Sequence, residues 1–363
     1  MSQLQAMEPK TPLLSGILAA AIVVLVATSS WAQDPVFSQY AASPVYTNPA
    51  LVGLYEGELR LTANFREQWP SVLAPEPLRT YAASAELRYN TSGRDYIGVA
   101  VNALQDQGGA SRYTISRIGF GLAMQKHLAG GRGRNATTLG FGARVGYGQN
   151  SFDPTGLWFS SQYDSLSSTI NSDGASPLPA GFVTETLGYL DISTGVNFAV
   201  VREDYSILVG AAAHHVNTPN TSFLFDANEN LAARFSGIVG GEYLIERNLR
   251  IMPSVLFERQ GQLNRLTAGG ALYYRSENAG DGDAGFRMGL YGRSANDFTD
   301  NSLNFEAIIL AAQLEYRDLT VGLSYDINAG HLGRTTDGRG AFEISLSYIR
   351  EGRTRGKVVC PKL

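Results

Sequence analysis

The chain has 363 residues, enough for one large domain or two ordinary ones. Only 17% of them are charged, Gly reaches 40, Tyr reaches 18, and the formal net charge is −4. That balance gives no basic surface for nucleic acid, and a mean hydropathy of −0.10 excludes a bundle of membrane helices.

The amino terminus carries Lys10, an apolar run from Leu13 to Ala27, and the triplet Ser30-Trp31-Ala32. A run of about fifteen apolar residues is short for a spanning helix, which needs about twenty. Residues 1–32 are therefore expected to be a cleaved signal peptide, with the mature chain starting at Gln33 beyond the inner membrane. Residues 33–56 follow. Pro35, Pro44 and Pro49 rule out a continuous strand ladder there. Phe37, Tyr40, Val45, Tyr46, Leu51 and Leu54 make the stretch too apolar for a disordered tail. It is expected to be a periplasmic or plug segment, packed against the mouth or lumen of the domain that follows, or against a partner protein.

Residues 57–350 alternate apolar and polar side chains through about fourteen short segments. In the first, Leu59, Leu61, Ala63 and Phe65 oppose Arg60, Thr62, Asn64 and Arg66. In the second, Tyr81, Ala83, Ala85, Leu87 and Tyr89 oppose Ser84, Glu86 and Arg88. In the fifth, Leu139 to Tyr147 alternate with Gly140, Gly142, Arg144, Gly146 and Gly148. The sixth sets Leu190, Ile192, Val196 and Phe198 against Asp191, Ser193, Gly195 and Asn197. The thirteenth places Asp326 on its polar face, and the last places Glu343 there. The others are expected near 95–105, 112–126, 205–216, 232–245, 249–259, 263–275, 285–293 and 303–317. Period-two patterning with charge on one face and no amphipathic helix predicts an all-β fold, a transmembrane antiparallel outer-membrane β-barrel. Charge in lipid is costly, so Arg60, Arg66, Glu86, Arg88, Arg144, Asp191, Asp326 and Glu343 are expected to line the lumen as ion pairs.

Short turns at 91–94, 202–204, 246–248 and 317–318 alternate with longer connections at 67–78, 151–187, 217–230 and 294–302. This asymmetry puts the short turns, and with an even strand count both termini, in the periplasm. Loop 151–187, with Trp158 and Phe159, is expected to fold over the outer mouth or hold a ligand. Tyr81, Tyr89, Tyr96, Tyr147, Tyr205, Tyr243, Tyr316 and Tyr348 fall at strand ends, where tyrosine suits the headgroup zone. Residues 351–363 form a basic periplasmic tail containing the single cysteine, Cys360, followed by Pro361.

No metal, nucleotide or hydrolase motif occurs. His214-His215 would face opposite sides of a strand and so could not share an ion. A hydrogen bond at the strand end is the expected role. No catalytic residue, cofactor or metal is expected.

DPVFSQYAASPVYTNPALVG (34–53), NFREQWPS (64–71), VGAAAHHVNTPNTSF (209–223), MPSVLFERQ (252–260), LSYDIN (323–328), FEISLSY (342–348) and the terminal VCPKL carry a resemblance. Together, in order across the mature chain, they resemble the PorP/SprF family of type IX secretion system outer-membrane proteins. The departures are Leu363, where an aromatic residue is usual, and the doubled histidine. The resemblance implies a non-enzymatic component of the secretion and gliding machinery. It implies export or anchoring of large adhesin-type cargo through the cargo's C-terminal domain, and a link to periplasmic partners. It also implies a monomeric barrel within a larger complex. Phe37, Gln39, Tyr40, Asn48, Pro49, Trp69, Trp158, Cys360 and Pro361 are the expected partner contacts. An outer-membrane diffusion channel or small-solute transporter is the alternative.

Overall fold

The computed structural model describes residues 33–91, 94–130, 135–157, 162–164, 169–170, 182–186, 188–224, 229–276, 284–296 and 302–350. The expected signal peptide, the basic tail, Trp158, Cys360 and Pro361 lie outside the described residues. Fourteen antiparallel strands close into a barrel. They are β1 (Leu59–Gln68), β2 (Leu78–Asn90), β3 (Tyr96–Gly108), β4 (Tyr113–Ala129), β5 (Ala136–Ser151), β6 (Tyr189–Val201) and β7 (Tyr205–His214). The second half comprises β8 (Arg234–Glu246), β9 (Leu249–Gln260), β10 (Leu263–Ser276), β11 (Ala284–Asn296), β12 (Leu303–Tyr316), β13 (Leu319–Asn328) and β14 (Arg339–Arg350). Each strand pairs with the next. The cylinder closes where β1 meets β14, from Leu59↔Arg350 to Gln68↔Ala341, so no ladder edge is left open.

The alternation decides the faces. On β4, Ile118, Phe120, Leu122 and Met124 are exposed outward, while Arg117 and Gln125 are buried inward. Tyr89, Tyr205, Tyr243, Tyr274 and Tyr316 stand exposed around the end where the short turns lie. Tyr96 departs from that girdle. It faces inward, fully buried, beneath the Arg88 guanidinium at 5.3 Å from its ring centroid.

Most of the connections sort by length. Residues 202–204, 247–248 and 317–318 turn tightly at one end. At the other end run 69–77, 152–188, 215–233 and 329–338, the last holding a short helix, α2 (Gly330–Thr336). The turns at 109–112 and 261–262 also lie at that long-loop end despite being short.

The segment before β1 crosses the lumen. Asp34 bonds Gln260 at the long-loop end of β9, and Tyr55 bonds the backbone of Glu58 and Glu86 at the short-turn end. Leu59 and Arg350 share the short-turn mouth. Asp34 does not, because the intervening strap traverses the barrel. Its prolines become starts of helical turns, where a missing N–H costs nothing. Pro44 opens α1 (Pro44–Thr47), and Pro49 opens a 3₁₀ turn (Pro49–Leu51) capped by Asn48, whose Oδ1 accepts from Ala50 N at 2.8 Å.

Strap and wall together make the hydrophobic core. Leu51 and Leu54 pack with Tyr96, Ala199 and Leu208. Val45 and Val52 pack on Ala100 and Ala123, Phe37 on Ala82 and Leu104, and Tyr40 on Ile238 and Leu256. Residues 33–56 are thus part of the same compact unit as the barrel rather than an appended segment.

Candidate functional site

The inward side chains of the wall meet the strap at three levels. Nearest the short-turn end, Glu86 of β2 is fully buried and forks onto Arg60 of β1, Nε to Oε1 and Nη2 to Oε2, both at 2.8 Å. The same carboxylate accepts Gly53 N at 3.1 Å, and Arg60 lies 4.5 Å from the Tyr55 ring centroid. Arg88 donates to the Tyr55 carbonyl. A bidentate pair with its remaining lone pairs satisfied is the geometry in which burying two charges is tolerated.

The middle level is a cradle. Asn48 Nδ2 donates to Val196 O at 3.0 Å and Ala211 O at 3.2 Å. The Ala50 carbonyl accepts from both Gln125 Nε2 and Asn197 Nδ2 at 2.6 Å. Gly142 and Gly195 face these groups. A Cβ on the first would collide with the Pro49 carbonyl and Ala50 backbone, and on the second with Asn48 Oδ1. Glycine is required here because the strap backbone lies directly on the wall.

Two buried ion clusters hold the far end. In one, Asp326 of β13 pairs with Arg66 Nη2 at 2.9 Å and Arg293 Nη2 at 2.8 Å. Ser38 Oγ donates to Asp326, and Glu343 accepts Ser38 N at 2.7 Å and Gln39 N at 3.1 Å. In the other, His215 bridges two carboxylates, Nδ1 to Asp191 at 2.7 Å and Nε2 to Asp34 at 2.6 Å. Arg144 completes Asp191 at 2.9 Å, while Arg117 (2.7 Å) and Arg234 (3.0 Å) complete Asp34. Asp34 and His215 lie outside the spanning strands. Burial pushes the Asp34 pKa up, but Arg117, His215 and Arg234 outweigh it and hold the carboxyl well below its usual range. Burial pushes His215 down, but Asp34 and Asp191 outweigh it and raise the imidazole.

The structure places Arg60, Arg66, Glu86, Arg88, Arg144, Asp191, Asp326 and Glu343 on the inner face. The expected partner contacts fare differently. Phe37, Gln39, Tyr40, Asn48 and Pro49 are buried against the barrel's own wall, because the strap's turns aim them at strand residues. Trp69 follows β1 with φ 56°, half-buried, its backbone N–H donating to Gly340 O at 2.8 Å. The two histidines do not face opposite ways. β7 ends at His214, and His215 takes φ 54°, which turns its ring into the lumen beside its neighbour. Its role is the hydrogen bond at the strand end. Asp34, Ser38, Arg117 and Arg234 were missed as site residues. The inward parity of Arg117 was readable from β4, but only the strap's path reveals the others.

Two further features frame the lumen. At the long-loop end Phe152, Phe182 and Phe223 form a cluster with centroids 5.1–5.9 Å apart, joined by Tyr113 at 6.0 Å. This ties the connections on either side of β6 and β7 together. At the short-turn end the strap leaves a chamber of about 440 Å³ against β10–β14 and β1.

Among solved structures, a Pseudomonas aeruginosa FadL homologue is similar at 10% identity and TM-score 0.48, over 85% of this chain and 94% of that one. The Ralstonia pickettii toluene transporter TbuX is similar at 12% identity and TM-score 0.46, over 86% and 94%. CdiB from Acinetobacter baumannii is similar at 9% identity and TM-score 0.41, over 80% of this chain, which spans 60% of CdiB. No curated protein matches the sequence. The type IX secretion system membrane protein family PorP/SprF matches residues 29–348. With that match across a closed, lipid-faced barrel, the chain belongs to the PorP/SprF family of type IX secretion membrane proteins and resides in the outer membrane.

Proposed function

We propose that this protein is a non-enzymatic adaptor of the secretion and gliding machinery rather than a conduit. Its long loops hold the C-terminal domain of an exported adhesin-type protein at the cell surface, and its short-turn end, placed in the periplasm, engages other secretion components. The observation that carries this reading is the strap. It crosses the lumen from end to end and hydrogen-bonds to the wall at three levels, so displacing it for solute passage would require breaking buried hydrogen bonds.

A hydrolase is disfavoured by the same geometry. Ser193 Oγ is buried beside the histidines without a hydrogen-bond partner, but both nitrogens of His215 are occupied by carboxylates and His214 Nε2 lies on Thr47 O at 3.3 Å. His215 therefore has no nitrogen left to activate the hydroxyl. Among the described residues no His, Cys, Asp and Glu cluster has metal-holding geometry.

The test replaces residues 152–188 by a short turn in cells. Loss of surface adhesin, with the barrel still heat-modifiable on gels, is expected. Undiminished surface adhesin would overturn the cargo-holding role. Purified protein in a planar bilayer should be nearly silent, whereas steady porin-like conductance would establish the diffusion channel instead.

A further inference from the structure

A void of about 30 Å³ lies under the strap, between Tyr46 and Thr47 of α1 and the inner faces of β5, β6 and β7. Arg144 and Ser193 both line it. They are register partners across β5 and β6, with both side chains buried, so the two are immediate neighbours. The guanidinium is held in place. Arg144 Nε donates to Asn102 Oδ1 at 3.1 Å and Nη1 to Asp191 Oδ2 at 2.9 Å, while the Tyr46 ring centroid lies 5.6 Å from its carbon. Nη2 has no hydrogen-bond partner among the described residues, and neither has Ser193 Oγ. A buried donor left unmet is costly, and Nη2 can only donate.

The lining also carries an excess of positive charge. His215 sets Nδ1 against Asp191 and Nε2 against Asp34, so both nitrogens donate and the ring is a cation. With Arg117, Arg144 and Arg234 it makes four cations, against the carboxylates of Asp34, Asp191 and Glu258. Each of those carboxylates already faces an arginine. Just behind, Arg265 on Glu258 and Asp106 near Arg117 add one charge of each sign and leave the balance as it is. The lining thus lacks one negative charge, at a place where two polar groups want a partner.

Three occupants are disfavoured by chemistry and size. A water would meet Nη2 but leave the charge uncompensated. A metal cation would sit against the guanidinium. A phosphate or carboxylate is too large, since the void holds little more than a water. We propose that the void is the seat of a single monatomic halide, chloride in ordinary media, held between Arg144 Nη2 and Ser193 Oγ. Seated there, the ion fastens β5 and β6 to the strap where α1 lies on them. The site goes beyond the adaptor reading and stands independently of it.

Bromide soaked into crystals of the full-length protein should give an anomalous signal within hydrogen-bond reach of Arg144 Nη2 and Ser193 Oγ. In detergent, the thermal transition is followed as chloride is exchanged at constant ionic strength for gluconate, which the void cannot admit. The midpoint should fall as chloride is withdrawn, and its dependence on chloride should saturate, because the ion binds the folded protein. Ser193→Ala should raise the chloride concentration that gives half the effect about fivefold. No bromide signal at that position, a midpoint indifferent to chloride, or an unchanged chloride dependence in Ser193→Ala would each overturn the halide seat and leave a buried water in its place. A bromide signal in the crystal beside a chloride-indifferent transition would mark an adventitious ion only and would overturn it equally.

Discussion

At the residue scale the lumen is governed by charges that cannot be removed singly. Asp326, fully buried, answers two arginines and Ser38. Asp326→Asn leaves Arg66 and Arg293 under-compensated, and loss of about 3 kcal/mol is expected from denaturant titration in detergent. His215 offers a pH test. Its raised pKa gives stability that is complete below the ordinary imidazole value and lost as pH rises through the folded-state value. Asp34, with a lowered pKa, contributes above the ordinary carboxylate value and is lost as pH falls through its folded-state value. The groups facing this pair are Asp191, Glu258, Arg117, Arg144, Arg234 and His214. Protection factors of the amides of residues 36–40, with the intrinsic base-catalysed exchange rate divided out, should therefore be largest in mildly acidic buffer and fall toward alkaline pH. Equal protection across that range would show that His215 does not hold the strap.

At the element scale the strap and the strands it lies on are one packing problem. Among the inward glycines of β5 and β6, Gly142 and Gly195 let the Asn48–Ala50 backbone touch the wall. Gly195→Val should unseat the 3₁₀ turn at an overpacking cost of roughly 1–3 kcal/mol, seen as new protease cleavage within 33–56 while the barrel remains heat-modifiable. The motif blocks S-Q-Y and N-P-A-x-x-G read in the same terms. Ser38 and Gln39 bind the β13–β14 wall, Asn48 caps its own turn while holding β6 and β7, and Gly53 donates to Glu86. From sequence these apolar and polar residues fit the barrel's mouth, its lumen or a partner protein equally. The strap's path seats them on the barrel's own wall.

At the scale of the whole molecule, a sealed cylinder with an apolar exterior, tyrosines at the short-turn rim and loops tied by a phenylalanine cluster presents two different ends to two different compartments. Replacing Phe152, Phe182 and Phe223 together by alanine should leave the barrel's thermal transition nearly unchanged. It should also expose the connections on either side of β6 and β7 to external protease, because the cluster lies beyond the ladder.

Strand number, the outward and inward faces, and the lumenal place of Arg60, Glu86, Arg144 and Asp326 were legible in the sequence. Alternation is a local property, and lipid forbids charge on one side of every strand. The route of residues 33–56, the closure of Asp34 on His215 and the chamber left beside Arg287 were not. Each depends on which distant strands a proline-broken segment meets once the cylinder has closed, and no period in the chain encodes that meeting.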